Sequence, residues 1–197
     1  MLDLRLFDVS RVRGFLPRED PLMRLPEPFA AWEEVASSMP KLLAAGALGP
    51  VLRKLPILDT RSLKPREHER AMMLASFCAH GYVWEHWQDG NPRPHIPPSI
   101  AIPLVAVAEK VGRPPVLSYA SYALHNWRRL DSDGPVAVGN IVMLQNFLGG
   151  LDEEWFVLVH VQIEAEAGEA IVAAIRAQEA AAKDNIAGVS SHLESLA

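Results

Sequence analysis

His160 is the residue that spacing places best for chemistry. In DEEWFVLVHVQIEAEAG, Phe156, His160, Ile163 and Ala167 recur at i, i+4, i+7 and i+11, which puts them on one helical face. That face is otherwise apolar, so the imidazole is expected to point inward. Glu164, one turn further on, is placed to accept a ring N–H and set the tautomer. Two readings stay open on spacing alone: a core histidine with its hydrogen bonds satisfied, or a polar tip that binds a ligand N–H or acts on a bound gas molecule. Tyr119 and Tyr122 pose the same choice, because a buried tyrosine needs a partner for its hydroxyl with or without a ligand.

The other reactive side chains are poorly arranged for catalysis. Of the seven histidines, His80 and His86 are six positions apart and point to different sides of one helix. With no HEXXH and no paired CXXC, a zinc centre has no support. His68 and His192 are expected to face solvent, and His95 falls in a proline-rich crossing. Cys78, the single cysteine, lies in an apolar run and reads as a small buried side chain. It excludes an internal disulfide and suits a reducing compartment. GXGXXG, P-loop and GXSXG motifs are absent, so nucleotide binding and serine-hydrolase chemistry lack support too. Trp84, Trp87 and Trp127 read as packing residues.

The elements that must carry these groups are helical. A chain of 197 residues with 49% hydrophobic and 22% charged residues has the makeup of a folded globular protein. Its net charge of −5 offers no basic face for nucleic acid. The N-terminus mixes charges into its apolar residues and reads as no signal peptide, and the apolar run Ala71–Trp84 is too short for a bilayer. A cytoplasmic protein without a membrane partner is expected. All 16 prolines lie at or before Pro135, predicting short helices joined by bends first and long helices afterwards. The pattern predicts helices over Pro28–Ala45, Lys64–Trp87, Pro98–Val111 and Pro115–Leu130, with a short helix or turn at Leu48–Leu55. A short helix over Val138–Phe147 follows, then a long one capped by Asp152 and running to about Lys183, then a last one from near Asp184. No segment alternates with period two, so the fold class is all-α. In the last helix Ile186, Val189, Leu193 and Leu196 form an apolar stripe with no closing cap. It is expected to be covered by a C-terminal half, a complementary chain or a second copy.

Several stretches together carry a resemblance to a known family. GFLP, LPEPFAAWEEVASSMPKLLAAGAL, AHGYVW, IPPSIAIPLVAVAEKVGRPPVLSYASYALHNWRR and DEEWFVLVHVQIEAEAG resemble, in order and spacing, successive landmarks of the indoleamine 2,3-dioxygenases. The resemblance implies a helical haem enzyme that opens the indole ring of tryptophan or a related indole with dioxygen, giving an N-formylkynurenine-type product. It implies that residues 1–113 form the family's small N-terminal helical domain, and 114–197 the first part of the large haem-binding domain. By matching position, Tyr119, Tyr122, Ala123 and Phe156 would line the distal pocket beside the substrate. His160 stands where mammalian members carry serine and where the related tryptophan 2,3-dioxygenases carry a distal histidine that hydrogen-bonds the indole N–H. It is therefore the catalytic candidate.

Family members are about twice as long, and the proximal histidine that ligates the haem iron lies in their C-terminal half. No position here matches it, so no metal ligand is assigned to this chain. Two functions are carried forward. One is a haem-dependent dioxygenase in which this chain supplies the distal pocket wall. The other is a haem-free helical interaction module, or truncated homologue, that pairs with a second chain.

Overall fold

The computed structural model describes residues 3–86 and 90–196. Trp87, read above as a packing residue, lies outside them. The fold is mostly helical, as expected. Its helices are α1 (Ala30–Ser37), α2 (Met39–Ala44), α3 (Leu48–Lys54), α4 (Pro65–Trp84), α5 (Pro98–Val111), α6 (Leu151–Ala181) and α7 (Ile186–Glu194).

α4 is the hub of the first core. Pro65 suits its first turn, and the Glu67 carboxylate accepts from the Lys64 amide at 2.8 Å. From Ala71 to Ala79 every residue is buried, as suits a helix that is apolar all round. It packs against α1, α3 and α5. Inside this core Arg70 and Glu33, both almost fully buried, form a two-point ion pair at 3.1 and 2.6 Å, and Glu33 also takes the Leu25 amide. Gly112, at φ +67°, ends α5 as a left-handed cap.

Three stretches depart from the expected helices. The Pro28–Ala45 helix is broken at Ser38, because Pro40 lacks the N–H that would reach the Ala36 carbonyl. Gln145 fills that place, its amide donating to Ala36 O at 2.9 Å. Pro115–Leu130 is not a continuous helix. It holds one π-helical turn, Ala120–Leu124, and then strand β1 (Trp127–Arg129). Val138–Phe147 is likewise not helical but contains strand β2 (Ile141–Met143), antiparallel to β1 with Arg128 opposite Val142. The connecting DSDGP is hairpin chemistry that the helical pattern obscured, and Asn140 closes it by bonding Asp131 and Pro135. Asp152 sits in the first turn of α6 and Gly150 is its N-cap.

A second core joins Leu16, Ala123, Trp127, Ile141, Val157, Leu158 and Val161, with Tyr122 and Met143 packed against both cores. The N-terminal segment is pinned to it at two points. Asp20 accepts from Arg13 at 2.9 Å and from Arg129 at 2.7 and 3.2 Å. The Arg11–Gly14 turn lies backbone against backbone on α6. Gly14 is at φ +57°, and a Cβ there would stand 2.2 Å from the Glu164 carbonyl oxygen. A Cβ at Gly168 would stand 2.7 Å from the Arg11 oxygen and 2.9 Å from the Gly14 nitrogen.

Two outcomes follow from these contacts. Gly168→Ala gains about 1 kcal/mol of helix propensity but meets backbone that cannot yield cheaply, so a net loss of roughly 1–2 kcal/mol is expected in urea unfolding followed by circular dichroism. For Asp20, burial pushes the carboxyl up, but the hydrogen bonds and charges of Arg129 and Arg13 outweigh it and leave the pKa below the ordinary aspartate value. The unfolded chain thus takes up this proton more readily than the folded one. The stability of the wild type over Asp20→Asn, about 1 kcal/mol for a partly solvated cluster, should be full above the ordinary aspartate range and fade as pH falls through the depressed pKa. Paired unfolding curves across that range measure it.

Candidate functional site

α6 presents two unlike sides. Val157, Leu158 and Val161 are buried in the second core, and Gly168 is buried under the Arg11–Gly14 turn. The row Phe156, His160, Ile163 lies on the other side and is open. Phe156 is 51% exposed and Ile163 56%, with His160 half-buried between them. The inward orientation expected for this row is therefore corrected: its side chains stand at the surface of this chain, because α6 turns Val157, Leu158 and Val161 to the core instead.

The tautomer of His160 is set differently from expectation. Its Nδ1 lies 2.6 Å from the Phe156 carbonyl oxygen. A carbonyl only accepts, so Nδ1 carries the hydrogen, and in the neutral ring Nε2 is left with a free lone pair. The Phe156 and His160 rings lie 4.3 Å apart between centroids. Glu164 does not reach His160; it accepts from the Tyr119 hydroxyl at 3.0 Å.

Tyr119 stands at the start of the π-turn, 42% exposed, with its ring edge-on to His160 at 6.1 Å. Burial, followed by the hydrogen bond and charge of Glu164, pushes its hydroxyl up to about 12. Tyr122 lies further in, against Phe156 at 6.3 Å, Phe77 at 5.7 Å and Phe147 at 6.5 Å. Its pKa is raised as well, by burial and then by the charge of Glu153. Ala123 is fully buried in the second core and backs the row without reaching the open face. The five predicted residues thus form one neighbourhood: Phe156, His160 and Tyr119 outermost, Tyr122 behind them, Ala123 beneath.

What holds the π-turn in place was missed in the sequence. Asn126, fully buried, donates to the Tyr122 carbonyl at 3.0 Å and to the Gln145 carbonyl at 2.7 Å, and accepts from the Gln145 amide at 2.8 Å. The only trace of it was a pair of amide residues, Asn126 in ALHNWRR and Gln145 in VMLQNFL.

Elsewhere the reactive groups are inert or apart. Cys78 is buried as expected, and burial pushes its thiol to about 12. His68 and His192, expected to face solvent, are both half-buried, and the Nε2 of His68 has no hydrogen-bond partner. His125 is largely buried beside Glu69, its Nε2 3.6 Å from that carboxylate, and burial holds its pKa down. Trp127 is fully buried, while Trp84 is 46% exposed. Trp84 lines a separate cleft of about 760 Å³ with His80, Gly81 and Phe147. That cleft is lined by none of the α6 row, and the packed rings of Phe147 and Tyr122 lie between the two. Among the described residues, no three histidine, cysteine, aspartate or glutamate side chains come together as metal ligands, and no helix is long and apolar enough to cross a membrane.

One family model matches almost the whole chain: indoleamine 2,3-dioxygenase, over residues 3–197. Human indoleamine 2,3-dioxygenase 2 is 34% identical over 185 residues, covering 93% of this chain and 45% of its own length. An indoleamine 2,3-dioxygenase of Penicillium citrinum is 35% identical over 199 residues, covering 99% and 44%. One of Aspergillus candidus is 36% identical over 199 residues, covering 97% and 48%. The chain spans less than half the length of these relatives. With a family model matched from near its first residue to its last, the chain belongs to the indoleamine 2,3-dioxygenase family.

Proposed function

We propose that this chain supplies the distal wall of a haem-dependent dioxygenase that opens the indole ring of tryptophan or a related indole. The reading rests on the open α6 row: exposed apolar side chains around one histidine whose Nε2 is free to accept. An exposed patch of Phe156, Ile163 and Tyr119 is costly to leave in water, and a flat apolar macrocycle or ring is what such a surface suits. The residues present fit one face of a haem. A ligand for the iron is expected from the part of the family's length that this chain does not span, as are the remaining walls. Residues 114–197 would then be the start of the large haem-binding domain and residues 1–113 the small one, with Leu16 reaching across.

In the reaction so proposed, both atoms of dioxygen enter at the indole C2=C3 bond, which breaks to leave an N-formylkynurenine-type product. Haem, when bound, supplies the activation of dioxygen. The chain's own residues bind and orient. Phe156 offers its ring to the indole face. His160 accepts the indole N–H at Nε2, because Nδ1 is committed to the Phe156 carbonyl. Tyr119 and Tyr122 wall the site, and Ala123 backs them. Holding a reactant in one geometry in this way is worth several kcal/mol when the alignment is good.

One observation favours the second reading, a haem-free helical module. On α7, Ile186 is 80% exposed and Leu193 51%, and Leu196 just beyond it is 43% exposed. This stripe suits a complementary chain, a second copy or the remaining half of the family fold, and it requires no haem.

Two measurements separate the readings. Haem added to this chain together with a polypeptide carrying the remaining length of a relative should show a shifted, sharpened Soret band, and a band unchanged from that of free haem would end the enzyme reading. Indole should bind this chain roughly tenfold tighter than 1-methylindole, which has no N–H to donate, and His160→Ala should abolish the difference. Equal binding of the two indoles by the wild type would remove His160 from the proposed role.

A further inference from the structure

The contact between Tyr119 and Glu164 ties two elements together across the face that bears His160. Tyr119 comes from the segment leading into the π-turn, and Glu164 from α6, one turn beyond His160. Their hydrogen bond is 3.0 Å long, and the Tyr119 ring stands at 74° to the imidazole. On its other flank His160 is fixed by Phe156, through the 2.6 Å contact to the carbonyl and the 4.3 Å ring approach. Only the Tyr119 side of the imidazole therefore depends on a long-range side-chain bond. With 42% of its surface exposed, Tyr119 is not locked by packing, and without that bond its two side-chain torsions are free to change rotamer.

We propose that Glu164 is a positioning residue: by holding the Tyr119 hydroxyl, it fixes the ring that walls His160 and so fixes the site that an indole N–H would enter. For its ligand this rests on the indole reading above; for the contact it rests on the geometry. The bond also assigns the tyrosine's part. Its proton is directed at Glu164 at 3.0 Å, so the residue acts as a wall and not as an acid toward the ligand.

The test uses the full chain as wild type, Glu164→Ala, Glu164→Gln, Tyr119→Phe, and the double variant Tyr119→Phe with Glu164→Ala. The first readout is the His160 ring resonance in a ¹H–¹³C spectrum, which reports the ring current of Tyr119 independently of any ligand. It should shift in Glu164→Ala and Tyr119→Phe but stay near wild type in Glu164→Gln, whose amide oxygen still accepts. The second readout is the Kd of 5-fluoroindole by ¹⁹F NMR. Glu164→Ala and Tyr119→Phe should each weaken it by roughly two- to tenfold, and the double variant by no more than either alone, as expected for one shared bond.

A His160 resonance indifferent to all four variants overturns the proposal. So do losses that add in the double variant, or binding unchanged in Glu164→Ala. The expected resonance pattern in a chain that binds no 5-fluoroindole supports the tyrosine clamp and counts instead against the indole reading.

Discussion

A buried amide junction governs where everything else in this molecule stands. Asn126 and Gln145 have almost no solvent exposure, and each uses its side chain where a backbone partner is lacking. Asn126 exchanges hydrogen bonds with the backbone of Gln145 and takes the Tyr122 carbonyl. Gln145 reaches the Ala36 carbonyl left open by Pro40. One connected set of bonds thereby joins the break between α1 and α2, the end of the β-ribbon and the π-turn. Buried amides left unpaired cost about 1–3 kcal/mol each, so the junction works as a unit: any geometry that breaks one bond strands several groups. The π-turn, and with it Tyr119 and Tyr122, inherits its position from that requirement.

α6 then has to satisfy two surfaces at once. Its Gly168 allows the Arg11–Gly14 turn to lie directly on the helix backbone, and Val157 and Val161 fill the second core. The opposite side carries the exposed Asp152 and Glu166, but also large apolar residues that a solvent-facing helix would not place there. Phe156 and Ile163 occupy it, with Leu151 84% and Trp155 62% exposed nearby. A helix apolar on more than one side is a helix built to be buried on more than one side. At about 25 cal/mol per Å² of apolar surface, covering an aromatic and an isoleucine of this exposure is worth a few kcal/mol, enough to favour a flat ligand or a further layer of protein.

The sequence was most readable where local rules and burial agree. α4 was legible because Pro65 and a long apolar run point the same way, and α5 because Pro98 and Gly112 mark its ends. The alignment of Phe156, His160 and Ile163 on one face followed from helical spacing alone. The side to which that face turns did not, because periodicity defines a stripe and cannot say which of two apolar stripes meets the core. The π-turn and ribbon were illegible for another reason. From Ser118 to Arg129 the residue types permit a helix, and what prevents it is a pair of amides meeting across 19 positions in sequence. Glu164 illustrates the same limit. Spacing paired it with His160 on its own helix, whereas the fold brings it a tyrosine from another element.

The histidine's chemistry follows from this division between local and long-range constraint. Its Nδ1 is settled within α6 by a carbonyl one turn back, a contact that persists wherever the helix persists. In the neutral ring, the lone pair on Nε2 is therefore a property of the helix, present before any partner or ligand arrives. Tyr119, by contrast, is delivered by the amide junction through the π-turn, so the wall beside the imidazole depends on the whole fold. A site assembled in this way has an acceptor that is robust and a shape that is conditional. Loosening the fold at Asn126 should spare the hydrogen-bonding capacity of His160 while blurring what the imidazole can distinguish. Under the proposed function, selectivity among indoles is then a tertiary property, whereas the affinity of a bare N–H for Nε2 is a secondary-structure one.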